Sequence, residues 1–219
     1  SRILQGKSKR ATHLAQDRIR QIAKKEFHDP AEVLRHFRSI ELEMARHREA
    51  GTIDMPHKAH ALRTNDLKNS REMRQAALFC YGMSVAINKP VLFSPEERDD
   101  YDFVASWFDG DAQHFAPVQL KELVPEHLNS RQTFEALLEK AKQKYTNSDD
   151  LTLAIYLNRV GRFDPGEVRI DRDLKLAGIW AFGGTSPDQS KFGLWGDLLH
   201  DEPCLGIEFE YPKSLGIVF

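Results

Sequence analysis

Asp102, Gln119 and Lys121 are the residues of this chain whose types and spacing could do chemistry. Gln119 and Lys121 stand two positions apart in the apolar stretch PVQLKEL (117–123), so a strand would present both side chains on one face. Sixteen residues lie between Asp102 and Gln119, which suits two hairpin strands joined by a short loop. A carboxylate on one strand and a cation on the next fit hydrolysis of a phosphodiester. That reaction needs hard oxygen ligands for Mg²⁺, a source of hydroxide, and positive charge against the pentavalent phosphate. The same residues also fit a plainer reading. Asp102 would cap a turn, and Gln119 with Lys121 would form the wet face of an edge strand, where lysine blocks aggregation.

Positioning these groups falls to the elements around them. Residues 9–27 read as a polar, basic helix. The segment HDPAEV starts a second helix, with Asp29 as N-cap, Pro30 at its first position and Glu32 in its first turn, running to about Ala50 before Gly51. Residues 51–69 show no period and read as a loop. SREMRQAALFCYGMSVAIN (70–88) is a third helix, stopped by Asn88 and Pro90. The pattern then changes to short strands at 90–94, 101–108 and 114–123. DGD (109–111) marks a hairpin turn, and Pro117 places that part of its strand at an edge, a bulge or its beginning. Asn129 and Gln132 resemble a capping box for a helix over 129–145, and Tyr145 belongs to its buried stripe. The nearly continuous apolar run 149–159 reads as a strand covered on both faces. Three weaker strands follow at 176–184, 191–198 and 205–212. The class is α+β: a mixed sheet with helices packed on it. Two regions are expected, a helical extension over 1–69 and an α/β core with added strands over 70–219.

Over about 90 residues, 70–159, the chain resembles the core of the PD-(D/E)xK nuclease superfamily, the restriction-endonuclease-like fold. That core runs helix, three-stranded meander, helix, strand. Its motif is an Asp at the second strand and Glu-x-Lys on the third. Here YDF (101–103) stands for the first and QLK (119–121) for the second, with Tyr101 in place of Pro and Gln119 in place of the usual acid. SREMRQ supplies Glu72, where many members carry a Glu on the first core helix. The resemblance implies a nuclease using Mg²⁺ or Mn²⁺ and acting on DNA. Asp102 would be the main metal ligand, with Gln119, the Leu120 carbonyl and Glu72 as further ligands. Lys121 would hold the attacking water. Replacing an acid by Gln119 removes one negative charge, so Glu72 or a nearby acid would have to compensate.

The net charge of −2 conceals an asymmetry: residues 1–75 carry 17 Lys/Arg against 10 Asp/Glu, and the rest is acidic. Basic helices of this kind suit contact with a polyanion, or they simply keep a helical surface solvated. As a nucleic-acid surface they would use Arg18, Arg20, Lys24, Lys25, Arg35 and Arg38, giving affinity without sequence recognition. Trp180, Phe182, Phe192 and Trp195 either read bases or belong to the core. Glu96, Glu97, Asp99 and Asp100 read as a solvated loop, and Glu122 alternates away from Lys121. His36, His47, His57 and His60 read as surface residues. Cys80 and Cys204 form neither a disulfide framework nor a zinc motif, which leaves a cytoplasmic setting as the expectation. No apolar run reaches the ~18 residues of a membrane span. Two other functions stay open: a non-catalytic member of the same fold that binds nucleic acid or serves assembly, and an α+β module whose basic helices bind an acidic protein. Pairing of two subunits into a homodimer that cuts both strands is also left open.

Overall fold

The structure is a computed structural model that describes residues 20–51, 68–96, 101–146, 148–171, 174–199 and 204–213. Its elements, in order, are α1 (Pro30–Glu49), α2 (Lys68–Ile87), β1 (Val91–Pro95), β2 (Phe103–Asp109), β3 (Ala112–Leu123), α3 (Phe134–Lys144), β4 (Ser148–Leu157), β5 (Leu176–Gly184), β6 (Lys191–Gly196) and β7 (Leu205–Glu210). The seven strands form one mixed sheet in sequential order. Strands β1, β2 and β3 make an antiparallel meander. The α3 crossover brings β4 parallel to β3, and β5 lies parallel to β4 before β6 and β7 return antiparallel. The fold is α+β, as expected. Among the described residues no helix is long and apolar enough to cross a membrane.

Alternation along the strands divides the core into two layers. On one face α2 and Leu34 of α1 pack against Phe93, Phe103, Val118, Leu120, Ala154, Phe182 and Phe192. On the other, Phe134, Leu137, Leu138, Ala141 and Tyr145 of α3 and its end cover Val104, Leu153, Ile155 and Ile179. Phe182 and Phe192 are fully buried and so belong to the core, not to a base-reading surface. The two tryptophans of this region pack directly against glycines. A Cβ at Gly193 would come within 2.4 Å of Trp195, and one at Gly196 within 2.4 Å of Trp180. Gly196→Ala is therefore expected to cost about 1–3 kcal/mol through overpacking. Thermal melting should show the loss, and an unchanged melting temperature would contradict this packing.

Local chemistry corrects two boundaries. Asn129 and Gln132 do not cap α3: Thr133 does, its hydroxyl accepting from the Ala136 N–H at 3.1 Å. Asn129 instead accepts from the Arg131 N–H, and Gln132 satisfies the Val124 N–H at 2.9 Å where β3 ends. The first helix does not reach residue 27. It stops after 22, because His28 exchanges two backbone hydrogen bonds with Phe93, at 2.8 and 3.1 Å, and covers the outer edge of β1. Residues 9–19 of the expected helix, and most of the expected loop over 51–69, lie outside the described residues. β3 runs past its hairpin partner region. Its pairing with β4 begins only at Val118, so Pro117 sits where that side of the strand is still an edge.

Candidate active site

The antiparallel register sets Phe103 opposite Val118, and the Asp102 N–H donates to the Val118 carbonyl at 2.9 Å. Asp102 therefore lies beside Gln119. Its Oδ2 accepts from the Leu120 N–H at 2.6 Å and from the Gln119 Nε2 amide. Nε2 also donates to the Leu120 carbonyl at 3.2 Å. Behind the amide, Tyr145 donates its phenolic hydrogen to Gln119 Oε1 at 2.7 Å. Both Gln119 and Tyr145 are buried, so this chain of bonds fixes how the amide is turned: nitrogen toward Asp102, oxygen toward the tyrosine.

Lys121 shares the α3 face with Gln119, as the two-residue spacing requires. Burial lowers its pKa from the ordinary lysine value; Asp102 and Glu72 oppose that shift, and Lys144 at the end of α3 adds to it. Asp102, Gln119, Leu120 and Lys121 thus come together, and the field of Glu72 reaches Lys121. Glu72 itself stands on the first turns of α2, with Lys68 at 3.6 Å. Glu122 points to the α2 face, where Asn158 Nδ2 donates to it at 2.7 Å and Gln75 Nε2 at 3.3 Å.

Glu96 is not a solvated loop residue. Lys25 pairs with it at 2.9 Å and Tyr101 donates to it at 3.0 Å, so it ties the N-terminal segment to the end of β1. Glu97, Asp99 and Asp100 lie outside the described residues.

The expected basic surface is split. Ile22 and Phe27 dock the N-terminal segment on the α3 face, the face of Gln119 and Lys121, with Arg20 and Lys24 exposed. Arg35 and Arg38 belong to α1 on the other side of the sheet. Arg38 is used internally: it donates to the Gln189 carbonyl at 3.1 Å and lies 4.7 Å above the Tyr211 ring. Arg18 is outside the described residues, as are His57 and His60. His36 is exposed and His47 pairs with Glu43 at 3.2 Å.

The oxygens around Gln119 fit a hard divalent cation in part. Asp102 Oδ2 and the Leu120 carbonyl lie within hydrogen-bonding reach of one amide nitrogen, and Gln119 offers a third oxygen if its amide turns over. Among the described residues no three His, Cys, Asp or Glu side chains gather as a metal-binding group. Tyr145 is the participant that sequence reasoning missed. Its helical spacing marked it as a core residue, and nothing in that spacing signalled the amide beneath its hydroxyl. Compared with known proteins, the chain matches no family model, no curated protein and no solved structure.

Proposed function

We propose that the chain is a metal-dependent nuclease that hydrolyses phosphodiester bonds, most simply in DNA, on a restriction-endonuclease-like core. The observation that carries this reading is the convergence of Asp102, the Leu120 carbonyl, Gln119 and Lys121 at one end of β2 and β3. The order of helix, antiparallel meander, crossover helix and parallel strand supports it, because the resemblance to PD-(D/E)xK nucleases implies that order. Asp102 and the Leu120 carbonyl would hold Mg²⁺ or Mn²⁺, with Gln119 as an uncharged third ligand and Glu72 acting through its field. Such a cation supplies Lewis-acid polarisation and a more acidic bound water. The Leu120 N–H aims the Asp102 carboxylate. Lys121 presents its ammonium on the same face, where it can donate to the attacking water and to the phosphoryl oxygen that gains charge. Arg20 and Lys24 extend positive charge along that face toward the phosphate backbone.

A second reading has its own observation. The Gln119 amino group bridges Asp102 and the Leu120 carbonyl, the oxygens a cation would need, and this favours a non-catalytic module of the same fold that binds nucleic acid without metal. Plasmid and single-stranded DNA incubated with the protein in Mg²⁺, in Mn²⁺ and in a chelator separate the two. Breakdown only with metal is the expected result. Binding that weakens steeply with salt, without breakdown, favours the second reading.

If Lys121 acts as an ammonium, the rate must fall as pH rises through its lowered pKa, below the ~10.4 of ordinary lysine. Lys121→Arg, which stays charged, should move that alkaline limit upward. A rate–pH profile checks this, and an unmoved limit would remove Lys121 from the step.

A further inference from the structure

Beyond the end of β3 the sheet opens into a cleft of about 960 Å³, at the upper end of the ~300–1,000 Å³ typical of small-ligand sites. Three parallel strands end there. Pro125 and His127 follow β3, Asn158 and Arg159 follow β4, and Ser186 and Gln189 follow β5. Ligands of open α/β sheets bind at such carboxyl ends. The row Leu123, Leu157 and Gly183 lies two residues past the row Lys121, Ile155 and Ala181, and the amides that line the cleft beyond it are anchored on the α2 side, opposite to the Lys121 side chain. From β3 to β5 is two strand spacings, about 10 Å.

Two amides of this cleft have their orientation imposed from behind by charged groups. Arg74 donates from Nη2 to Gln189 Oε1 at 2.9 Å. A guanidinium has no acceptor, so Gln189 must turn its oxygen to Arg74 and keep Nε2 as a donor for the cleft. Arg38 holds the Gln189 carbonyl at 3.1 Å, and the residue keeps a left-handed backbone, φ 53°. Asn158 is set the opposite way. Its Nδ2 donates at 2.7 Å to the Glu122 carboxylate, which can only accept, so Oδ1 remains as an acceptor for the cleft.

The lining is poor in usable charge. Its formal charges are Glu126 and Arg159, and the Arg159 guanidinium donates to the carbonyls of Val124, Gln132 and Asn129 at 3.1, 2.9 and 2.7 Å. A phosphodiester or an ionised carboxylate offers no donor to Asn158 Oδ1. The cleft suits a neutral, flat group with a donor and an acceptor side by side, which is what the Watson–Crick edge of every unstacked base presents.

We infer that the cleft lined by Asn158 and Gln189 binds an unstacked nucleobase of the nucleic acid, at the carboxyl edge of the sheet and from its α2 side, the side away from the Lys121 ammonium. This inference rests on the nuclease-fold reading for its choice of ligand. The test is titration of the whole protein with each of the four nucleosides, read from the side-chain amide NMR signals of Asn158 and Gln189. Both signals should shift with at least one nucleoside. Gln189→Gly, which suits the left-handed backbone, and Asn158→Ala should each weaken that binding about tenfold or more. Absent shifts, equal response to inorganic phosphate, or equal response to N-methylacetamide as a peptide mimic would overturn the inference. Its fate is separable from that of the catalytic reading. Nucleoside binding by a protein that does not cleave upholds the cleft and sinks only catalysis. Cleavage without nucleoside binding overturns the cleft alone.

Discussion

Asp102→Ala is expected to lower metal-dependent cleavage by about 10³-fold or more. Holding a cation against a phosphoryl oxygen contributes several kcal/mol of transition-state stabilisation, and each ~1.4 kcal/mol is a factor of ten in rate. The substitution also leaves the Leu120 N–H without its 2.6 Å acceptor, a structural cost of about 1–3 kcal/mol. Asp102→Asn separates the two effects, because its amide oxygen can still accept from Leu120 while the negative charge is gone. It should melt closer to the unaltered protein and cleave as poorly as the alanine variant. Initial rates on plasmid DNA, read beside thermal melts, decide the matter. Cleavage at the unaltered rate in both variants would place the chemistry elsewhere.

Gln119→Glu should act in the opposite direction. In the unaltered site an N–H bridges Asp102 Oδ2 and the Leu120 carbonyl, so no bare carboxylates face each other. With glutamate a second carboxylate faces Asp102 and the bridging N–H is lost. Like charges at this range repel and raise the pKa of one member of the pair. The variant should therefore melt lower in chelator. Divalent cations should reverse this, since affinity at oxygen sites climbs by decades with the number of carboxylates. A tenfold tighter site adds about 1.4 kcal/mol of stability at saturating metal. Melting curves across a Mg²⁺ titration measure both arms. Equal melting in chelator and equal gain with metal would show that Gln119 does not stand at a cation position.

The helix and strand pattern of the core was legible because its periods are clean. The apolar run ending at Leu157 had to be buried on both faces, and it lies between β3 and β5. Asp29, Pro30 and Glu32 mark a helix start whose chemistry is local, and Asp29 accepts from the Ala31 N–H at 2.7 Å. Gln119 and Lys121 were readable as a pair because strand alternation is fixed by geometry. What could not be read depends on contacts between residues distant in sequence. Asn129, Gln132 and Thr133 all suit a helix start by type, and the need of the Val124 N–H for an acceptor helps choose among them. Glu96 looked solvated until the N-terminal segment folded back and brought Lys25 to it. Tyr145 and Gln119 lie 26 residues apart, and their hydrogen bond exists only because α3 crosses β3. Arg38 carries the same charge as Arg20, but packing consumes it at Tyr211 and Gln189.

The central claim is that the oxygens gathered at Gln119 form a cation site, and paramagnetic broadening by Mn²⁺ tests it most directly. Added to the isotope-labelled protein, Mn²⁺ should broaden first the backbone amide signals of Asp102, Leu120 and Lys121 and the side-chain amide of Gln119. Asp102→Ala should abolish that pattern. Broadening that spares these residues, or that persists in the variant, would contradict the claim and leave a metal-free nucleic-acid-binding module as the better account.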